Sequence, residues 1–297
     1  MGNRFEFSVV ADEDKYAQEA INAAIAEVQR IEKQLTTFSE ASQTAAINRA
    51  AGVHPVVVDP EVFTLIQRSL RISALTQGAF DISYGSMDKR FWNFDQQMTT
   101  LPDKETARLQ VRLINYKNII LDEENHTVFL KLKGMRIGFG GIGKGYAAER
   151  AKTVLLERGV ENGVVNAAGD LAAWGMQPSG RPWTVGIAAP LAKHHPFSSL
   201  EITDKAVATS GNYEKFVMIG GKRFSHTIDP RTGYPVAGIK SVTIICPNAE
   251  IADALATPVT VMGIEAGLHL INQLKEVACL LIDDSDRLFT SNNIKLT

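Results

Sequence analysis

Gly138-Phe139-Gly140-Gly141-Ile142-Gly143-Lys144-Gly145 is the stretch on which the fold class turns. Met135 to Phe139 alternates like a strand and Tyr146 to Arg158 spaces its apolar residues like a helix, so the glycines are expected at a strand-to-helix turn. Such a turn lets backbone N–H groups approach an anion at a helix N-terminus. Gly138-x-Gly140-x-x-Gly143 satisfies the dinucleotide fingerprint, and Gly138-x-x-x-x-Gly143-Lys144 satisfies all but the last position of a phosphate loop. Neither fits fully. The phosphate loop needs Ser or Thr after the lysine, where this chain has Gly145; the fingerprint wants an acid about 20 residues on, and the candidates are Glu161, in a loop, and Asp170, rather late. A third reading is a tight turn that lets a helix pack closely on a sheet.

The flanking elements favour that sheet being antiparallel. Asp14 to Leu35 puts Ala17, Ile21, Ala24, Ile25, Val28, Ile31 and Leu35 on one stripe of a long helix. Asp59-Pro60-Glu61 starts another, running to about Leu75. Asn118–Asp122 and Thr127–Leu132 form a hairpin, and the chain from Trp183 to Phe224 is a series of short strands. Helices are expected again over Glu250–Met262 and Ile264–Leu274, then a hairpin of Val277–Asp283 and Arg287–Ser291. The fold class is therefore α+β, with mixed, largely antiparallel sheets and flanking helices, in one domain over residues 1–297 that has room for two subdomains around a site.

The 297 residues are 45% hydrophobic and 22% charged, as in a soluble globular protein. Lys and Arg number 31 against 33 Asp and Glu, so no basic surplus argues for nucleic acid. Cys246 and Cys279 lie in apolar strands and read as buried thiols. No signal peptide or membrane span is legible, which leaves a cytoplasmic protein or the mature, trimmed form of an exported one.

Three further stretches carry chemistry. Gly78-Ala79-Phe80-Asp81-Ile82-Ser83-Tyr84 precedes the aromatic cluster Phe91, Trp92, Phe94, which reads as core or as a pocket wall. His226 ends a strand and is followed by the rigid turn Asp229-Pro230-Arg231-Thr232-Gly233; a neutral imidazole held there can serve as a general base, with Asp229 to orient it. On a helix, Asp253 and Thr257 share a face, so a carboxylate and a hydroxyl can converge on one hard cation. Alternatively Asp253 caps a helix that begins there. Pro258 is expected to bias Thr257 away from regular helix.

Together these stretches resemble the ApbE-type FAD:protein FMN transferases. The resemblance runs in order through Met1-Gly2, Ser42 and Asn48, Gly78 to Asp81, Gly141 to Tyr146, Asn166 to Asp170, Ala208 to Tyr213, His226 to Gly233 and Asp253 to Thr257. It implies metal-dependent transfer of FMN from FAD to a Thr or Ser hydroxyl of a target protein, with release of AMP. Targets in that family are flavoprotein subunits of electron-transport complexes. The resemblance places the metal, Mg2+ or Mn2+, on Asp253, Thr257 and the Gly141 carbonyl. It implies flavin-site roles for Met1, Ser42, Phe80, Asp81 and Tyr84, and phosphate or sugar contacts for Lys144, Asp170, Thr209, Ser210 and His226. Ala168 stands where the family often has glycine, and its methyl is expected to narrow that wall. Competing readings are an FAD pyrophosphatase, with water as nucleophile, and a flavin-binding protein without chemistry.

Overall fold

The computed structural model describes residues 3–88, 100–188, 196–211 and 216–294. Met1, the cluster Phe91, Trp92 and Phe94, and Asn212 and Tyr213 lie outside them. At the centre is a seven-stranded sheet of β1 (Phe5–Val10), β5 (Asn162–Ala167), β6 (Asp170–Trp174), β9 (Lys205–Gly211), β12 (Ile239–Cys246), β13 (Ala278–Asp283) and β14 (Leu288–Thr290), adjacent in that order. Every neighbouring pair is antiparallel, so the glycine turn belongs to no parallel βαβ unit. A smaller sheet orders β2 (Val56–Val57), β4 (Thr127–Leu130) and β3 (Ile119–Asp122); β7 (Trp183–Ala188) pairs with β8 (Pro196–Ile202), and β10 (Phe216–Ile219) with β11 (Lys222–Ser225).

The helices are α1 (Asp14–Leu35), α2 (Gln43–Arg49), α3 (Pro60–Leu75), α4 (Lys104–Val111), α5 (Gly143–Glu157), α6 (Ala249–Met262) and α7 (Ile264–Ile271). One face of the large sheet is covered by α5 and α6, with α1 packed outside α5. Alternation along β5 sends Val165 and Ala167 into this main core. Val164 faces the other way, joining Leu171, Ala173 and Val207 under Trp183, Val185 and Leu200 of the β7–β8 hairpin. Cover on both faces explains why β6 is buried at every position. Among the described residues no helix is long and apolar enough to cross a membrane.

One strand expectation fails. Met135 to Phe139 runs outside any sheet, although its alternation is that of an extended chain. Its hydrogen bonds go to side chains and a turn instead of a neighbouring strand. Asn48 donates through Nδ2 to the Ile137 carbonyl (3.0 Å) and accepts the Ile137 N–H at Oδ1 (2.7 Å). Ser86 Oγ does the same for Arg136, and the Gly138 N–H donates to the Ile82 carbonyl (2.9 Å). Substituting Asn48→Leu strands both backbone groups of Ile137, and unfolding titrations are expected to show a loss of about 1–3 kcal/mol. A loss below about 0.5 kcal/mol would mean that water replaces the amide.

Smaller boundary differences follow from hydrogen bonding. The helix after the glycines begins at Gly143 and not Tyr146, because the Gly143 N–H already reaches the Phe139 carbonyl (2.7 Å). The last helix stops at Ile271, short of Leu274. Thr257 stays within α6, which continues past Pro258 to Met262.

Candidate active site

A cavity of about 510 Å³ opens between the α1–α2 connection, the chain from Ala79 through the turn Ile82–Ser86, the glycine turn, β6, β9, the chain after β11, and α6. Phe80, Asp81 and Tyr84 form one side of it, with Gly141 and Lys144 beside them. Asp170, Thr209 and Ser210 come from the sheet, His226 from the end of β11, and Asp253 and Thr257 from α6. Ser42 and Asp229 do not line it, and Met1 is not described. Thr37 is in the wall; its only signal in the sequence was its place in the hydroxyl-rich stretch Thr36 to Ser42.

Each side chain is held by its own local structure. Ser42 caps α2, accepting the Ala45 N–H (3.0 Å) and donating to the Thr36 carbonyl (2.6 Å), which fixes the turn that presents Thr37. Asp81 takes the N–H and hydroxyl of Ser83 on one oxygen (2.8 and 2.6 Å) and the Tyr116 N–H on the other (2.7 Å). Its carboxylate thus orders the loop carrying Phe80 and Tyr84. Burial pushes the Tyr84 phenol up to about 12. Thr209 Oγ1 bonds Thr243 Oγ1 on the adjacent strand (2.9 Å).

His226 is exposed within the cavity wall, and the turn after it is stiff. Gly233, at φ 78°, returns an N–H to the Asp229 carbonyl (2.8 Å). A Cβ there would come within 1.8 Å of the Ala107 carbonyl oxygen of α4, so only glycine lets the turn seat on that helix. The Asp229 carboxylate is engaged by Arg231, at 2.9 Å to both Nε and Nη2.

At the glycine turn the anion expected at the start of α5 turns out to be a carboxylate of the protein itself. Asp253 Oδ2 accepts the Gly145 N–H (2.9 Å). Asp253 therefore does not cap its own helix, which begins a turn earlier at Ala249, but caps α5. This close crossing also explains Gly145. A Cβ there would lie 2.1 Å from the Ala249 carbonyl oxygen and 2.7 Å from Asp253 Cβ. The residue that spoils the phosphate-loop motif is thus required by helix packing.

The electrostatics centre on three buried or half-buried charges. Asp253 and Asp170 are only 6% and 3% exposed, and the Lys144 ammonium bonds Asp170 Oδ2. Burial and the charge of Asp170 push the Asp253 carboxyl well above the ordinary carboxylate range. Burial also raises Asp170, against the pull of Lys144 and of the Thr209 N–H. Burial opposes the Lys144 charge, but the two carboxylates outweigh it and its pKa ends above the usual lysine value. Two carboxylates against one ammonium leave a negative charge in a buried place, which is the condition a bound cation relieves. Among the described residues no three His, Cys, Asp or Glu side chains cluster as metal ligands. The donors available are a carboxylate, a hydroxyl and a carbonyl, a set suited to a hard cation.

Ala168 does not line the cavity. It occupies the left-handed region (φ 53°) in the two-residue turn with Gly169 (φ 99°) that joins β5 to β6. Its methyl strains that turn rather than narrowing the wall.

The fold and site are thus an all-antiparallel sheet backed by helices, with one cavity where its inner strands β6 and β9 meet the glycine turn and α6. The chain belongs to the ApbE family, whose family model matches residues 1–281. It is 32% identical to an FAD:protein FMN transferase of Klebsiella pneumoniae over 91% of this chain and 84% of that one. It superposes on the ApbE protein of Thermotoga maritima with a TM-score of 0.86 at 29% identity, covering 98% of this chain and 94% of that one. With the apo flavinyl transferase ApbE of Pseudomonas stutzeri the TM-score is 0.85 at 25% identity, over 98% and 92%.

Proposed function

We propose that this protein transfers FMN from FAD to a threonine or serine hydroxyl of an acceptor protein, with the help of a divalent cation. The transferase reading rests on the family and its relatives. The observation that carries the rest is the meeting of Asp253, Thr257 and Gly141 with Lys144, Asp170 and His226 around one cavity. Asp253, Thr257 and the Gly141 carbonyl would hold Mg2+ or Mn2+, which supplies charge neutralisation at the pyrophosphate of FAD.

The remaining work falls to the chain's own side chains. Phe80 and Tyr84 give the flavin ring an apolar and aromatic side of the cavity. Lys144 places a positive charge beside the phosphates, and Asp170 keeps its ammonium oriented. Thr209 and Ser210 offer hydroxyls to sugar or phosphate oxygens. His226, within reach of solvent, takes the proton from the acceptor hydroxyl as its oxygen attacks the FMN phosphorus; the bond from that phosphorus to the bridging oxygen breaks, and AMP leaves. Asp229 acts on His226 only indirectly in this scheme, through the Arg231-bound turn.

The test is incubation with FAD, Mg2+ and a threonine-bearing acceptor, followed by mass spectrometry. One FMN added per acceptor with equimolar AMP is expected. Free FMN with an unmodified acceptor would instead assign the site to FAD hydrolysis. His226→Ala is expected to slow transfer by roughly 10²–10⁴-fold while FAD affinity changes little, and unchanged transfer would remove His226 from the role of base.

A further inference from the structure

The two helices that meet at the site cap each other. Gly145 and Glu149 stand four residues apart on α5, and Ala249 and Asp253 four apart on α6, so each pair lies on one helix face. Asp253 of α6 accepts the Gly145 N–H at the start of α5 (2.9 Å). Glu149 of α5 accepts, through Oε2, the Ala249 N–H at the start of α6 (2.8 Å). Between the two bonds, the crossing is so close that Gly145 leaves no space for a Cβ against the Ala249 carbonyl. Ala249 is only 1% exposed, so water cannot readily replace Glu149 there.

We propose that Glu149 is a positioning residue for the cation site: it fixes the first turn of α6 against α5 and thereby sets where the carboxylate of Asp253 and the hydroxyl of Thr257 face the cavity. Its own place is secured by Lys152, 3.4 Å from the other carboxylate oxygen. Glu149 itself is not among the cavity-lining residues, so it acts through the helix and touches no substrate. The same turn of α6 is held on its other side by the bidentate pair of Arg68 with Glu250 (2.6 and 2.9 Å) and by Asn248, which caps the Ile251 N–H (3.1 Å). These keep α6 folded and docked when Glu149 is changed. What Glu149 adds, beside the Asp253–Gly145 bond itself, is a second tie to α5, made at the first residue of α6.

The proposal rests on the reading of Asp253 and Thr257 as cation ligands. It is tested by Mn2+ titration followed by electron paramagnetic resonance on the wild type, Glu149→Ala, Glu149→Gln and Val128→Ala, with FAD affinity and thermal unfolding measured alongside. Glu149→Ala is expected to weaken Mn2+ binding roughly 10- to 100-fold. Glu149→Gln keeps an oxygen that accepts the Ala249 N–H and is expected to restore Mn2+ binding to within about threefold. Val128→Ala, in the core of the smaller sheet, loses stability and leaves Mn2+ binding unchanged, which separates positioning from general destabilisation. Transfer by Glu149→Ala should recover as Mn2+ is raised. Wild-type Mn2+ affinity in Glu149→Ala, or equal weakening in Val128→Ala, overturns the positioning role alone. No Mn2+ binding by the wild type overturns the cation reading itself and this inference with it.

Discussion

Asp253→Asn is expected to abolish FMN transfer while leaving the fold intact. Asparagine keeps an oxygen to accept the Gly145 N–H, so the cap on α5 survives. What it removes is a negative charge that burial and Asp170 already disfavour. Because the folded-state pKa of Asp253 is raised, its ionised form opposes folding at neutral pH, and the neutral amide relieves that cost. The midpoint of thermal unfolding without added metal should therefore match or exceed that of the wild type. Transfer loses the charge proposed to hold the cation, and at about 1.4 kcal/mol per tenfold a deficit of several kcal/mol is roughly a thousandfold or more. A variant keeping more than about a tenth of wild-type transfer would remove Asp253 from the chemistry.

Gly145→Ala is the substitution with the largest expected effect on stability. Gly145 does not need a left-handed backbone, so the effect is steric alone. The added methyl would stand 2.1 Å from a carbonyl oxygen of the backbone, which cannot rotate away as a side chain can. Relief requires α5 and α6 to separate, and that movement breaks the tie between Gly145 and Asp253. Overpacking of this kind costs about 3 kcal/mol or more, and loss of soluble protein or a sharply lowered melting point is expected together with loss of transfer. Gly140→Ala, where a Cβ meets nothing within 4 Å, is the control that should fold normally. If Gly145→Ala melts within a degree or two of the wild type, the helices are less tightly crossed than the structure has them.

The contrast between these two positions shows what sequence can carry. That Asp253 and Thr257 share a face follows from helical spacing, and the structure keeps them on one helix and in one cavity. The stiffness after His226 was legible because Pro230 and Gly233 restrict a turn locally. The antiparallel sheet was legible from short strands in succession. The reason for Gly145 was not legible, because it lies more than a hundred residues away, at Ala249, and no local pattern encodes that approach. The strand expectation for Met135 to Phe139 fails because its partners, too, are distant in sequence. Alternation reports an extended backbone, but not whether a strand or an asparagine supplies its partners. Asp229 reads in the sequence as the residue that orients His226, and the resemblance assigns Asp81 to the flavin site, but no local pattern tells that Arg231 engages the first carboxylate and that Ser83 and Tyr116 engage the second.

The order of strands also sets a timetable for the growing chain. Phe5 finds its partner only at Ala167, and Gly145 finds Asp253 later still. Contacts of such sequence separation slow the search for the native state. During synthesis the N-terminal strand must wait while more than half of the polypeptide emerges, and the cavity closes its circuit only once Thr257 has left the ribosome.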